Sequence, residues 1–243
     1  MGACVEVQNL TFSYSGGAPL LRGVSFEVSQ GEFLVVAGRS GCGKTTLCHI
    51  LCGIIPNAIK GELRGKVSVM GAAPAEAGLS QTSLKAGMVF QDPDDQLIST
   101  TVEDELAFAL ENHCRPPEEI RRCVDELLAE FGLTALRLTN PAHLSGGQKK
   151  LVTIAAVLAP DPPVLILDEP LSGLDHDGRC MVAGAIERQR RKGRAVIIVE
   201  HDLEMFKNAD SWLLLGGGEV AAYGAPRDIM WDEDLLISLG VWA

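Results

Sequence analysis

Gly38-Arg39-Ser40-Gly41-Cys42-Gly43-Lys44-Thr45 is the stretch on which the fold of this 243-residue chain turns. It fits the spacing Gly-x-x-x-x-Gly-Lys-Ser/Thr. Immediately before it, Glu32 to Gly38 (EFLVVAG) is apolar on both faces, as a central strand of a parallel sheet is. Immediately after it, Leu47, Ile50 and Leu51 repeat at helical spacing toward Gly53. A strand, a glycine-rich turn and a helix in this order let backbone N–H groups curl round phosphates, with the helix N-terminus adding a favourable field. The reading places Gly38, Ser40, Gly41, Cys42, Gly43 and Thr46 in the nucleotide cradle, Lys44 on the β- and γ-phosphates and Thr45 on Mg²⁺. Cys42, beside the helix N-terminus and near Lys44, is expected to favour its thiolate.

Outward from this loop, strand and helix alternate. VEVQNLTFSY (5–14) and VSFEV (24–28) read as strands separated by a turn at Ser15-Gly16-Gly17. A helix from about Gly147 to Ala159, the strand VLILD (164–168), a helix ending near Gly193 and the strand AVIIV (195–199) follow downstream. That order predicts an α/β fold: a P-loop core with a parallel sheet, an N-terminal antiparallel β subdomain and an inserted α-helical subdomain. The insertion is placed at about 92–143, where two polar-faced helices run from Val102 to about Gly132 and Pro116-Pro117 starts the second. The expected organisation is one domain over 1–243, with 1–91 and 144–243 making the core and the β subdomain.

Composition limits what such a domain does. With 47% hydrophobic and 22% charged residues the chain has enough apolar side chains for a sizeable core, which excludes a disordered polymer. Thirty-two Asp and Glu against 21 Lys and Arg give a net charge of -11, which repels phosphate backbones and disfavours nucleic acid as a partner. Mean hydropathy is +0.16, yet no apolar run approaches the about 20 residues of a membrane span. The first residues run straight into a strand-like segment, so a cytoplasmic location is expected. The seven cysteines lack paired Cys-x-x-Cys spacing and read as reduced thiols; Cys48 and Cys52, either side of His49, read as core residues rather than metal ligands.

Two further motifs carry chemistry. Val164 to Asp168 is an apolar strand ending in Asp168-Glu169, so a buried parallel strand delivers both acids to the sheet edge where the phosphates sit. Asp168 suits the Mg²⁺ shell, and Glu169 suits a general base acting on water. Leu144-Ser145-Gly146-Gly147-Gln148 is a second anion-binding element, with a serine donor and two glycines at a helix start. One nucleotide does not need two such elements from one chain. Ser145, Gly146, Gly147 and Gln148 are therefore assigned to a nucleotide held by a second copy, in a head-to-tail dimer.

With these motifs in place the chain resembles the nucleotide-binding subunits of ABC transporters over nearly its whole length. The resemblance implies that Tyr14 stacks on adenine, that Gln91 senses Mg²⁺ and the attacking water, that Ser172-Gly173-Leu174-Asp175 crosses the dimer interface, and that His201 contacts the γ-phosphate. Glu169, His201 and Gln91 are the catalytic candidates, Thr45, Gln91 and Asp168 the metal ligands, and ATP with Mg²⁺ the implied pair. Phe90 to Gln96 (FQDPDDQ), continuing through STTVEDELAFALEN, is similar to the energy-coupling-factor ATPases that power uptake of vitamins and of cobalt or nickel. Leu151 stands where that pattern has an arginine, DEPLSGLD replaces DEPTAGLD, and His176 replaces a proline. The chain's end at Ala243 leaves little room for the C-terminal dimerisation extension of many such subunits. The implied partners are a second ATPase subunit, a transmembrane coupling subunit and a substrate-binding membrane subunit, at the cytoplasmic face of the membrane. Asp94, Asp95 and Glu103 are expected to line the docking groove for a basic-ended helix of the coupling subunit. The alternative function is an ABC-type ATPase apart from transport, such as one for Fe-S cluster assembly; the Asp92–Gln96 segment argues against it. A small-molecule P-loop kinase leaves LSGGQ unexplained.

Overall fold

The computed structural model of the protein describes residues 2–241. The first two strands are β1 (Ala3–Tyr14) and β2 (Leu21–Ser29), and β3 (Phe33–Gly38) leads into α1 (Lys44–Leu51). A short α2 (Ile54–Asn57), strand β4 (Gly61–Val69), two single turns α3 (Pro74–Ala77) and α4 (Leu79–Thr82), and strand β5 (Ala86–Val89) come next. The helices α5 (Val102–Asn112), α6 (Pro117–Glu130) and α7 (Gly146–Leu158) precede β6 (Val164–Asp168), α8 (His176–Arg191) and β7 (Ala195–Val199). The hairpin β8 (Ser211–Gly216) and β9 (Glu219–Gly224) is followed by α9 (Pro226–Ile229) and α10 (Glu233–Ser238).

Two sheets result. Strands β2, β1 and β4 form an antiparallel sheet in that order, and the larger sheet runs β5-β6-β7-β3-β8-β9. All neighbours in the larger sheet are parallel except β9, which returns antiparallel along β8. The central strands are apolar throughout, save Asp168 at the end of β6, because each face has its own core. Leu34, Val36, Ile166, Ile197 and Val199 point into one cluster with α1 and the three-stranded sheet. Val35, Leu165, Leu167, Val196 and Ile198 point into the other, with α5, α6, α7 and α8. Alternation along a strand thus feeds two cores, and each buried aliphatic side chain contributes about 1.5–3 kcal/mol of transfer free energy.

Helix α5 begins where Thr101 Oγ1 accepts from the Asp104 N–H at 3.1 Å, with Glu103, Asp104 and Glu105 in its first turn against the helix field. Its buried Leu106 and Leu110 share a cluster with Val124 and Leu128 of α6 and with Leu151 and Ala155 of α7. Strands β4, β8 and β9 fall outside the elements read from the sequence. In β4 the charged residues Glu62, Arg64 and Lys66 leave only Val67 and Val69 buried. Strand β8, in contrast, is an apolar run ending at three consecutive glycines, a readable strand and turn.

Candidate active site

The phosphate loop lies between the end of β3 and the start of α1. Its three glycines, Gly38, Gly41 and Gly43, all have positive φ, which aims successive N–H groups into one concavity. At Gly38 a side chain is excluded outright, because a Cβ would stand 2.2 Å from Leu215 O. Buried Lys44 crosses the loop and donates to Gly38 O at 2.7 Å and Arg39 O at 3.1 Å. Ser40 and Thr45 are exposed along the rim, whereas Thr46 is buried and its Oγ1 lies 3.0 Å from the Tyr14 hydroxyl. Tyr14 packs edge-on against Phe12 with centroids 4.9 Å apart, leaving its ring partly open to solvent beside the loop.

Cys42 departs from expectation. Its thiol is only 8% exposed, and burial pushes its pKa up by more than the Lys44 charge pulls it down, so the group is a thiol and not an activated thiolate. Its N–H bonds to Arg39 O at 3.2 Å within the loop. Cys48 and Cys52 lie in the core cluster under α1, where burial drives Cys52 up to about 12.

Strand β6 delivers the two acids to the loop as its apolar run demands. Asp168 is 2% exposed; burial raises its carboxyl and a hydrogen bond from Thr45 lowers it. Glu169 leaves the strand with φ 45°, a left-handed conformation costly for a residue with a Cβ, and its N–H bonds to Val199 O at 3.0 Å. The turn aims its carboxylate at two partners at once: Gln91 Nε2 donates to Oε2 at 2.7 Å, and His201 Nε2 stands 2.9 Å from Oε1. Gln91, Glu169 and His201, from three separate elements, therefore meet around one carboxylate. The cleft beside them, of about 920 Å³, is lined by Thr45, His49, Gln91, Lys150, Asp168 and Gly173. The donor set suits Mg²⁺: one hydroxyl and one buried carboxylate in contact, with no cluster of three His, Cys, Asp or Glu among the described residues, which matches an ion held largely by phosphates and water.

The LSGGQ segment is a capping box. Ser145 Oγ accepts from the Gln148 N–H at 3.3 Å and Gln148 Oε1 from the Ser145 N–H at 3.0 Å. Gly147 permits α7 to touch α8, since a Cβ there would lie 3.1 Å from Gly178 Cα. Asp175 caps α8 through Gly178 N–H at 2.8 Å. Ser145 and Gly146 remain exposed, and among the described residues no hydrogen bond joins them to the phosphate loop. The acidic docking groove also requires correction. Glu103 is bidentate to Arg137 at 2.6 and 2.7 Å and Asp94 pairs with Lys149 at 2.6 Å, so two of its three acids are already spent inside the chain. The open groove alongside is apolar. Sequence reading also passed over Lys150, a lysine 2% exposed; its place on the buried face of α7, one turn before Ile154, was the available signal.

Comparison with known proteins agrees with this fold. The ABC transporter family matches residues 21–172. A protein of Methanosarcina acetivorans named energy-coupling factor transporter ATP-binding protein EcfA is 36% identical over 232 residues, 95% of this chain and 83% of that one. The EcfA1 protein of Lactococcus lactis is 34% identical over 99% of this chain and 86% of its own length. A putative ABC transporter ATP-binding protein of Methanosarcina mazei is 39% identical over 89% of this chain, which spans only 38% of that relative. The structure of CbiO1 from Clostridium perfringens, described as part of the ABC transporter complex CbiONQ, superposes with a TM-score of 0.84 at 32% identity, covering 98% of this chain and 94% of that one. The chain belongs to the ABC transporter ATP-binding family, has its ATPase domain, and resembles the energy-coupling factor branch.

Proposed function

We propose that this chain is an ATPase subunit of an energy-coupling factor importer, working as a head-to-tail pair with a second ATPase subunit, a copy or a paralogue. The observation that carries the reading is Glu169, held by Gln91 and His201 beside Asp168 and the phosphate loop. In this reading Lys44 and the loop N–H groups bind the β- and γ-phosphates, Tyr14 stacks on adenine, and Glu169 takes the proton from the attacking water. His201 and Gln91 hold that carboxylate and meet the γ-phosphate. Thr45 and Asp168 hold Mg²⁺, assisted by the Gln91 side-chain oxygen, and the ion supplies charge neutralisation at the phosphates. The exposed Ser145 and Gly146, backed by Gly147 and Gln148, close over the nucleotide of the partner ATPase, with Asp175 on the loop between the two.

The membrane contact lies beside Gln91. Leu79, Phe90, Ile98 and Phe108 line an apolar cavity of about 310 Å³, open to solvent, in which a short helix of a coupling subunit can seat. No helix among the described residues is long and apolar enough to cross a membrane, so the reading makes this a peripheral subunit at the cytoplasmic face. The family resemblance implies a substrate-binding membrane subunit as a further partner.

The test is Glu169→Gln. It removes the base and keeps the phosphate loop, so hydrolysis falls by at least about 100-fold while nucleotide binding persists. The variant accumulates a dimer in ATP, seen by size exclusion with light scattering. Parent-like turnover removes Glu169 from the base role, and a monomer at saturating ATP removes the sandwich.

A further inference from the structure

Lys150 is a buried ammonium with no part in the chemistry described so far. It is 2% exposed on α7, two residues beyond the LSGGQ turn. Its Nζ donates to the main-chain oxygen of Gln91 and, at 3.4 Å, to that of Phe90. Taking an ammonium out of water costs several kcal/mol unless its donors are satisfied and opposite charge is near. Here the burial lowers its pKa while Asp92, Glu200, Asp168 and Glu169 pull it up, which places the charge amid the acids of the hydrolytic centre. Leu151, where the family resemblance has an arginine, is buried and apolar.

The segment that Lys150 grips is secured on its other side as well. Gln96 Oε1 accepts from the Phe90 N–H at 3.1 Å and Gln96 Nε2 donates to Met88 O at 2.9 Å. The neighbouring Lys149 holds Asp94 at 2.6 Å. Phe90 and Gln91 follow directly on β5, and Gln91 has no other tether in the helical layer than the ammonium on its carbonyl among the described residues. Its side chain reaches Glu169 at 2.7 Å. A chain of hydrogen bonds therefore runs from α7, just beyond its LSGGQ end, through Lys150 to the Gln91 backbone, and from the Gln91 amide to the Glu169 carboxylate.

We propose that Lys150 is a positioning residue for hydrolysis: its ammonium fixes the Gln91 backbone to the LSGGQ helix, so that the Gln91 amide, and through it Glu169, takes its reactive place only while α7 is correctly seated. The reaction's atoms never touch Lys150. Its contribution lies in keeping two elements in register, and a displacement of about 1 Å at a reacting group costs up to about 100-fold in rate. The proposal rests on the assignment of Gln91 and Glu169 to the hydrolytic centre.

The experiment is a double-mutant cycle of Lys150→Met and Gln91→Ala in the full chain, read as kcat and KM for ATP, with nucleotide affinity measured separately in the absence of Mg²⁺. Lys150→Met keeps the length of the side chain and removes the donor. Expected is a loss in kcat of about 10- to 100-fold with KM and affinity within about twofold, since the phosphate loop is untouched. In the double variant the losses do not multiply, because both substitutions sever one path. Unchanged kcat, multiplicative losses, or a loss confined to KM overturns the proposal. Should Lys150→Met not fold, Lys150→Leu, which likewise has no donor, runs through the same cycle with the same criteria. Glu169→Gln assayed alongside separates the two assignments: if it still turns over, Glu169 is not the base while the Lys150–Gln91 coupling is read independently, and if it is dead while Lys150→Met is fully active, only the tether falls.

Discussion

At Cys42 two elementary effects oppose each other, and their sizes decide the outcome. A helix N-terminus and a nearby ammonium favour a thiolate, but a thiol that is 8% exposed loses more by charging in a low-dielectric site than those dipoles return. Cys114 and Cys180 are exposed. Alkylation with N-ethylmaleimide near neutral pH is therefore expected at Cys114 and Cys180 first, with Cys42 trailing by at least about tenfold. Peptide mass spectrometry over time checks the order, and early labelling of Cys42 would contradict it. Glu169 shows the complementary case. Its left-handed backbone costs about 1–2 kcal/mol, and it persists because its N–H and both carboxylate oxygens are held. The identity of both residues was plain in the sequence. Cys42's burial was not, because a one-dimensional pattern shows neighbours along the chain and not the Gly38 backbone that lies against its sulfur, 3.0 Å from where a Cβ would sit.

Helix α5 illustrates the element scale. Its start is set locally by Thr101 and three acids, all legible in the sequence, and its position is set by Arg137 from the segment after α6, which clamps Glu103 and Asp125 together. The Arg137 hydrogen bonds hold the Glu103 carboxyl below the usual carboxylate range. A carboxyl whose folded pKa is lowered contributes stability above its unfolded pKa and loses it as pH falls through the folded value. Arg137→Met is expected to lower stability at pH 7 by about 1 kcal/mol, a figure held down because both side chains are about one-third exposed. The difference between variant and parent should shrink once the pH drops below the ordinary carboxylate range. Urea denaturation at several pH values measures this; a pH-independent difference would assign the effect to packing of the arginine stem instead.

At the scale of the whole molecule the surface beside Gln91 matters more for its shape than for its charge. The net charge of -11 suggested an acidic docking wall, yet internal pairing of Asp94 and Glu103 leaves an apolar groove with Ile98 66% and Phe108 43% exposed. Phe108→Asp is expected to reduce recovery of the proposed coupling membrane subunit in pull-downs from detergent extracts by at least about tenfold, as loss of a buried aromatic anchor does. The thermal midpoint of the isolated subunit is expected to stay put, since this ring faces solvent. Undiminished recovery would move the membrane contact elsewhere on the surface.

What the sequence determined by itself is the set of local patterns: the glycine-rich turn between a strand and a helix, the apolar strand ending in Asp168-Glu169, the capping residues, and the apolar runs of the parallel sheet. Each depends on chain spacing and local backbone geometry, which residue order specifies directly. Only the tertiary structure decided that Gln91, Glu169 and His201 share one carboxylate, that Lys150 is fastened to the Gln91 backbone, that Asp94 and Glu103 are spent within the chain, and that Cys42 is buried. All but the burial of Cys42 depend on contacts between residues 30 to 80 positions apart, and often on main-chain carbonyls that every residue possesses. Such contacts leave no mark in side-chain pattern, because their geometry exists only once both cores have packed against the two faces of the sheet.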